Sequence, residues 1–219
     1  MSSEDGTLRL GPSGSDAKVI CVFVHGRGRS TGEMQSHVVA RLSAPSVAFV
    51  LPRASRGAWW DARAVDPLTP VTRAQLSDAL DHLAAVVAAA RATAPRQPIL
   101  LAGFSQGACL AIEYLCAGLP PPDAVVALTG CRVGVPADGR SASAPAGTPV
   151  YLSGGDADPW IPLSAFADAA QSLGARGVKL RADLFPGRAH AVSDAEIGML
   201  DAILTDLVAG RPPAMGADR

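Results

Sequence analysis

Gly103-Phe104-Ser105-Gln106-Gly107 carries the pattern G-x-S-x-G in the middle of the chain. Glycines flanking a serine in this way let a strand turn abruptly into a helix and hold the hydroxyl out where a substrate can meet it. A serine hydroxyl is a poor nucleophile near neutral pH. It needs an imidazole to take its proton and later return it to a leaving group. That imidazole needs a carboxylate to accept its other N–H and fix its tautomer. Nucleophile, base and acid together transfer acyl groups, so the remaining residues are read for a base, an acid and donors to a developing oxyanion.

The chain has four histidines. His37 and His82 fall in expected helices ahead of the serine and read as surface or core-edge residues. His25 closes an apolar run in a His-Gly turn, where local hydrogen bonding suits it. His190 lies in the loop Pro186-Gly187-Arg188-Ala189-His190, beyond the last expected strand and after the serine, as the chain order of this architecture requires. The acid must lie between Ser105 and His190 on a loop that follows a strand, and Asp156 and Asp158 both qualify. Asp168 and Asp183 fall inside an expected helix and strand and read as solvated. Asp158 is favoured over Asp156 because Pro159 biases it away from helical geometry and keeps its side chain in the loop. The spare member of the pair is then a turn or capping residue. The oxyanion of an attacked ester needs aimed backbone N–H groups. Gln106, directly after the serine, supplies one; Arg27, in the turn His25-Gly26-Arg27-Gly28-Arg29, is expected to supply the other.

Positioning these groups takes a sheet. Residues 18–24, 46–51, 99–102, 124–128 and 149–152 are continuous apolar runs, the habit of strands covered on both faces. Leu76, Leu80, Leu83 and Val87 share one stripe of a helix, the run 108–116 continues the G-x-S-x-G turn as an apolar helix, and a helix over 164–173, a strand over 178–185 and a helix over 194–208 follow. The alternation predicts an α/β fold with a doubly wound, mostly parallel sheet flanked by helices. One domain is expected over 7–210, with 1–6 and 211–219 as disordered tails. Two irregular stretches, 52–70 with Trp59 and Trp60, and 133–148, follow strands at the end where open α/β sheets bind ligands. The second reads equally as a mobile surface loop.

Composition narrows the partners. A net charge of -1 over 219 residues leaves no surplus of Lys and Arg for nucleic acid. Pro, Gly and charged residues interrupt every apolar stretch short of a bilayer span. The first residues lack the basic start and apolar run of a secretory signal, which points to the cytoplasm. Cys21, Cys109, Cys116 and Cys131 have no C-x-x-C spacing and read as buried thiols in a reducing compartment. No metal or other cofactor is called for.

Together, His25-Gly26-x-Gly, the G-F-S-Q-G at 103–107, Asp158-Pro159-x-Ile161-Pro162 and Gly187-x-x-His190 resemble the phospholipase/carboxylesterase family of α/β-hydrolases, which includes the acyl-protein thioesterases. The resemblance covers residues 19–207 and implies a metal-free esterase or thioesterase working through an acyl-enzyme. Trp59-Trp60-Asp61 resembles the family's Trp-aromatic-Asp segment beside the acyl channel, which implies substrate contact there and, with them, at Gly26 and Trp160; a loop anchored by two packed aromatics is the equal alternative for Trp59 and Trp60. Two departures bear on substrate: Gly154 stands where acyl-protein thioesterases often have His, and Trp160 where they have a small aliphatic residue. An indole there narrows the site toward small or short-acyl esters. Members often dimerise, which leaves a homodimer open. An acyltransferase on the same triad and a catalytically silent ligand-binding homologue are the alternatives.

Overall fold

The computed structural model of the chain describes residues 6–13 and 16–216. Its seven strands are β1 (Leu8–Leu10), β2 (Val19–Val24), β3 (Val47–Leu51), β4 (Ile99–Phe104), β5 (Ala124–Leu128), β6 (Pro149–Gly155) and β7 (Lys179–Phe185). They form one sheet in the order β1-β3-β2-β4-β5-β6-β7, parallel throughout except for β1, which runs antiparallel to β3. Every residue of β2, β4 and β5 is buried. Such strands have no solvated face to mark with polar residues, which is why they read as unbroken apolar runs.

The helices are α1 (Thr31–His37), α2 (Pro70–Thr93), α3 (Gln106–Cys116), α4 (Leu163–Gly174) and α5 (Asp194–Val208). They divide between the faces of the sheet. Ile20, Val22 and Val24 of β2 join a cluster with Leu83 of α2, Leu110 of α3 and Phe166 of α4. The alternate residues Val19, Cys21 and Phe23 join Met34 of α1 and Leu200 of α5 in a second cluster. The period of two along one strand thus divides the core into two layers. The helix starts are set locally: Ser30 with Glu33 and Ser193 with Glu196 form capping boxes, and Thr69 caps α2 ahead of Pro70.

This is the doubly wound, mostly parallel α/β architecture that the sequence predicts, with three adjustments. β1 is an added antiparallel edge strand, too short to show a period. β4 continues through Gly103 and Phe104, and β6 through Ser153, Gly154 and Gly155, because the backbone ladder outlasts the apolar side chains. Asp168 and Asp183, expected to be solvated, are half-buried and paired with Arg140 and Arg181. Of the expected tails, residues 1–5 and 217–219 lie outside the described residues. Before that end, Arg211 pairs with Asp206 at 3.0 Å, and the Met215 carbonyl accepts a hydrogen bond from Arg181. Among the described residues no helix is long and apolar enough to cross a membrane.

The loop after β5 closes through charge. Arg132 and Glu113 of α3 form a buried bidentate pair at 2.7 and 3.1 Å, and Glu113 also accepts the Val133 N–H. The remaining Arg132 donors reach Ser172 Oγ and the Ser141 carbonyl. Further along, Arg140 pairs with Asp168, and Asp138 Oδ2 accepts the N–H groups of Leu68 and Val135. Those two backbone donors hold the Asp138 carboxyl below its usual range. The four cysteines are buried free thiols.

Candidate active site

Ser105 sits where β4 turns into α3, with φ 56° and ψ -119°. A residue with a Cβ is strained in this left-handed region by about 1–3 kcal/mol, and the conformation persists only where surroundings over-determine it. Here the Ser105 N–H donates to the Leu128 carbonyl at 3.0 Å, and its own carbonyl accepts from Cys109 N at 2.9 Å. The flanking glycines answer a steric need. A Cβ on Gly107 would lie 2.1 Å from the Val24 carbonyl oxygen, and one on Gly103 would lie 2.4 Å from the Gly107 backbone. Without them α3 could not seat against β2 and β4 and lift the serine out.

Ser105 Oγ lies 2.8 Å from His190 Nε2, and His190 Nδ1 lies 2.7 Å from Asp158 Oδ2. With Nδ1–H donating to the carboxylate, Nε2 is left as the acceptor for the serine hydroxyl. The other oxygen of the buried Asp158 accepts the N–H groups of Trp160 and Ile161 at 2.7 and 3.0 Å, so both carboxylate oxygens are fixed. Asp156 is exposed and turned instead to the Gly187 N–H at 2.5 Å, bracing the loop that carries His190.

The histidine loop has further supports that sequence reasoning missed. Arg188 pairs with the fully buried Glu196 at 3.2 Å and donates to Thr129 Oγ1 at 3.0 Å. Glu196 also accepts from Ser153 Oγ at 2.5 Å and completes the Ser193 capping box. The S-x-x-E spacing was available as a signal for the helix start. Its role beneath His190 depends on contacts far apart in the chain.

Gln106 and Arg27 present backbone N–H groups near the serine, and neither is paired with a protein acceptor among the described residues. Gln106 starts α3, where the first N–H groups lack intrahelical partners. Its side chain turns away, accepting from Trp59 N at 2.9 Å and donating to the Trp60 carbonyl at 2.8 Å. Arg27 donates from its guanidinium to the carbonyls of Asp61 and Ala62. Gly26 packs against Phe104 and Ser105, where an added Cβ would come within 3.2 Å of both.

Trp59 and Trp60 do not line the site. Both are buried, Trp60 to 1% exposure, and they anchor the loop after β3: Trp59 Nε1 donates to the His25 carbonyl at 2.9 Å. They touch the surroundings of Ser105 through Gln106 and through the His25-Gly26 turn. His25 is likewise structural. Its Nδ1–H donates to the Gly26 carbonyl at 2.7 Å, while Nε2 accepts the Ala54 N–H at 3.0 Å.

A cavity of about 330 Å3 opens over Ser105, floored by Cys109, Phe104 and Ile161 and flanked by Trp160, which is 57% exposed. A second groove, past His190, is bordered by Met34, Arg41 and Val192. His190 borders both.

The pattern of the phospholipase/carboxylesterase family matches residues 9–207. A phospholipase/carboxylesterase from Dyadobacter fermentans is 28% identical over 91% of this chain and 95% of its own, with a TM-score of 0.81. Esterase PE8 is 25% identical over 91% and 97%, with a TM-score of 0.75. Acyl-protein thioesterase 2 of Zea mays, 20% identical over 92% and 98% at a TM-score of 0.70, shares the fold. An α/β-hydrolase sheet whose family pattern runs from its first strand to its last helix leaves one assignment: the chain belongs to the phospholipase/carboxylesterase family, as a hydrolase of the carboxylesterase and thioesterase type.

Proposed function

We propose that the protein hydrolyses carboxylic esters of small or short acyl groups through a covalent acyl-enzyme on Ser105. The observation that carries this reading is the hydrogen-bonded chain from Ser105 Oγ to His190 Nε2 and from His190 Nδ1 to Asp158. Ser105 Oγ attacks the ester carbonyl as its proton passes to His190 Nε2, and the imidazolium is stabilised by Asp158. The carbonyl oxygen becomes an oxyanion held by the N–H groups of Gln106 and Arg27. Collapse breaks the bond to the leaving group, which takes the proton from Nε2 and departs as the alcohol along the groove beyond His190. Water then repeats the sequence: it gives a proton to Nε2, attacks the acyl-enzyme and releases the acid, and Ser105 recovers its proton. A thioester would follow the same steps with a thiol leaving.

The test is Ser105→Ala. Hydrolysis of p-nitrophenyl acetate should fall on the order of a million-fold if the triad acts as a unit. A fluorophosphonate should label the wild-type protein at Ser105. Activity within about tenfold of wild type in the alanine variant would sink the reading. Asp158→Asn should lower kcat on the order of 10⁴ by leaving the imidazole in the wrong tautomer, while Asp156→Asn should have a far smaller effect. Chain length tests the pocket. An open channel would raise kcat/KM with each added methylene, worth about 0.8 kcal/mol. With Trp160 narrowing the cavity, acetyl and butyryl esters should outrun palmitoyl esters, and the reverse order would overturn the short-acyl assignment.

A further inference from the structure

The cavity over Ser105 has Arg27, Arg29 and Arg63 on its wall, and the acidic side chains around it are engaged elsewhere. Arg29 is paired with Glu33 at 3.1 Å. The Asp61 carboxylate accepts from Gln75 Nε2 at 2.6 Å, and that of Asp66 from the backbone N–H of Arg63 at 3.0 Å. Arg27 donates to two backbone carbonyls and, among the described residues, has no carboxylate partner. Arg63 has none either. Its guanidinium makes one long hydrogen bond, 3.4 Å to the Pro159 carbonyl, and lies 6.0 Å from the centre of the Trp160 ring. Most of its five N–H donors are therefore unfilled.

Three guanidinium groups on one cavity run against a chain with 19 basic and 20 acidic residues. Arg27 and Arg63 are exposed and meet no carboxylate among the described residues, unlike the less exposed Arg132 and Arg140, which do. Beside Arg63, Trp160 leaves a broad indole open at the mouth. A flat apolar surface that ends at an uncompensated guanidinium suits a short methylene chain that ends in an anion, since Arg binds carboxylates through a planar fork.

We propose that the acyl group accepted by Ser105 ends in an anion, in the simplest case a carboxylate, so that the substrate is a half-ester of a dicarboxylic acid whose free end pairs with Arg63 while its methylenes lie on Trp160. This rests on the reading of Ser105 as the nucleophile and adds the charge of the acyl group to it.

The test compares kcat/KM for p-nitrophenyl hydrogen adipate and for its methyl-capped, uncharged counterpart. The wild-type protein should prefer the acid by about tenfold at low ionic strength, the scale of one charge-assisted hydrogen bond, and added salt should reduce the preference. Arg63→Gln should bring the ratio to about one, and Arg63→Lys, which keeps the charge and loses the fork, should retain part of it. A wild-type ratio of one or less, or a preference that survives Arg63→Gln, would overturn the proposal. Its failure is separable from failure of the esterase reading: Ser105-dependent cleavage of the uncharged ester without a charge preference sinks only the anion site. Cleavage of both esters that is insensitive to Ser105→Ala sinks the reading beneath it.

Discussion

Two long irregular loops leave the same end of the sheet, and both grip α3, but at different turns. The loop after β3 meets the helix at Gln106 through neutral hydrogen bonds from Trp59 and to Trp60. The loop after β5 meets it at Cys109, whose Sγ accepts the Cys131 N–H at 3.3 Å, and further on at Glu113 through a buried ion pair with Arg132. Seven residues at about 1.5 Å of rise put the Gln106 and Glu113 contacts on the order of 10 Å apart, enough to separate a contact beside Ser105 from one behind it. The charged anchor of the second loop is thus set back from Ser105, while Thr129 at the start of that loop reaches the His190 loop through Arg188. The contact at Gln106 is neutral and the one at Glu113 is charged.

If that division holds, the largest effect belongs to the ion pair and is purely one of stability. Glu113→Ala strands the buried Arg132 guanidinium, and urea unfolding should show a loss of about 3–5 kcal/mol. The kcat/KM of the folded fraction should stay near wild type; a large fall would mean the two ends of α3 are coupled. Gln106→Ala should lose less stability, about 1–3 kcal/mol for the orphaned Trp59 N–H and Trp60 carbonyl, yet lower kcat/KM on the order of tenfold as the serine's neighbour shifts. Equal kinetic effects from the two variants would erase the contrast.

The smallest effect concerns His25 beneath the first loop. Its two hydrogen bonds require a neutral ring, and burial pushes its pKa below the usual histidine value. An unfolded histidine titrates near about 6.5, so the stabilisation is present above that pH and is lost as pH falls through the lowered folded value. Urea midpoints at about pH 7.5 and about pH 5.5 should therefore differ more for wild type than for His25→Gln. An identical pH response in the two proteins would remove His25 as the titrating group.

The sequence was most legible where one local rule suffices. α5 begins and ends as expected, at Asp194 and Val208, because Ser193 and Glu196 spell a capping box ahead of an apolar period. The Ser105, Asp158 and His190 positions follow from chain order and from strands that end where the chemistry must sit. What escaped was set by distant partners. Trp59 and Trp60 read equally as channel walls or as packed loop anchors, since aromatic residues in a loop do not reveal whether they face out or in; both are buried, and a glutamine 47 positions from Trp59 accepts its N–H. The stretch 133–148 reads equally as a ligand-side loop or a surface loop because its anchors, Arg140 with Asp168 and the neighbouring Arg132 with Glu113, are far apart in the chain. β1 pairs with β3 some forty positions on, and its three residues are too few for any period.

The left-handed backbone at Ser105 sets two demands on one codon. Glycine would relax there, so the substitution that would abolish the proposed nucleophile also removes strain of about 1–3 kcal/mol. On the proposed function, selection for robustness alone would drive this position away from serine, and selection for turnover would keep it. A lineage that no longer needed the reaction would find thermal tolerance one substitution away, at the residue proposed as its nucleophile.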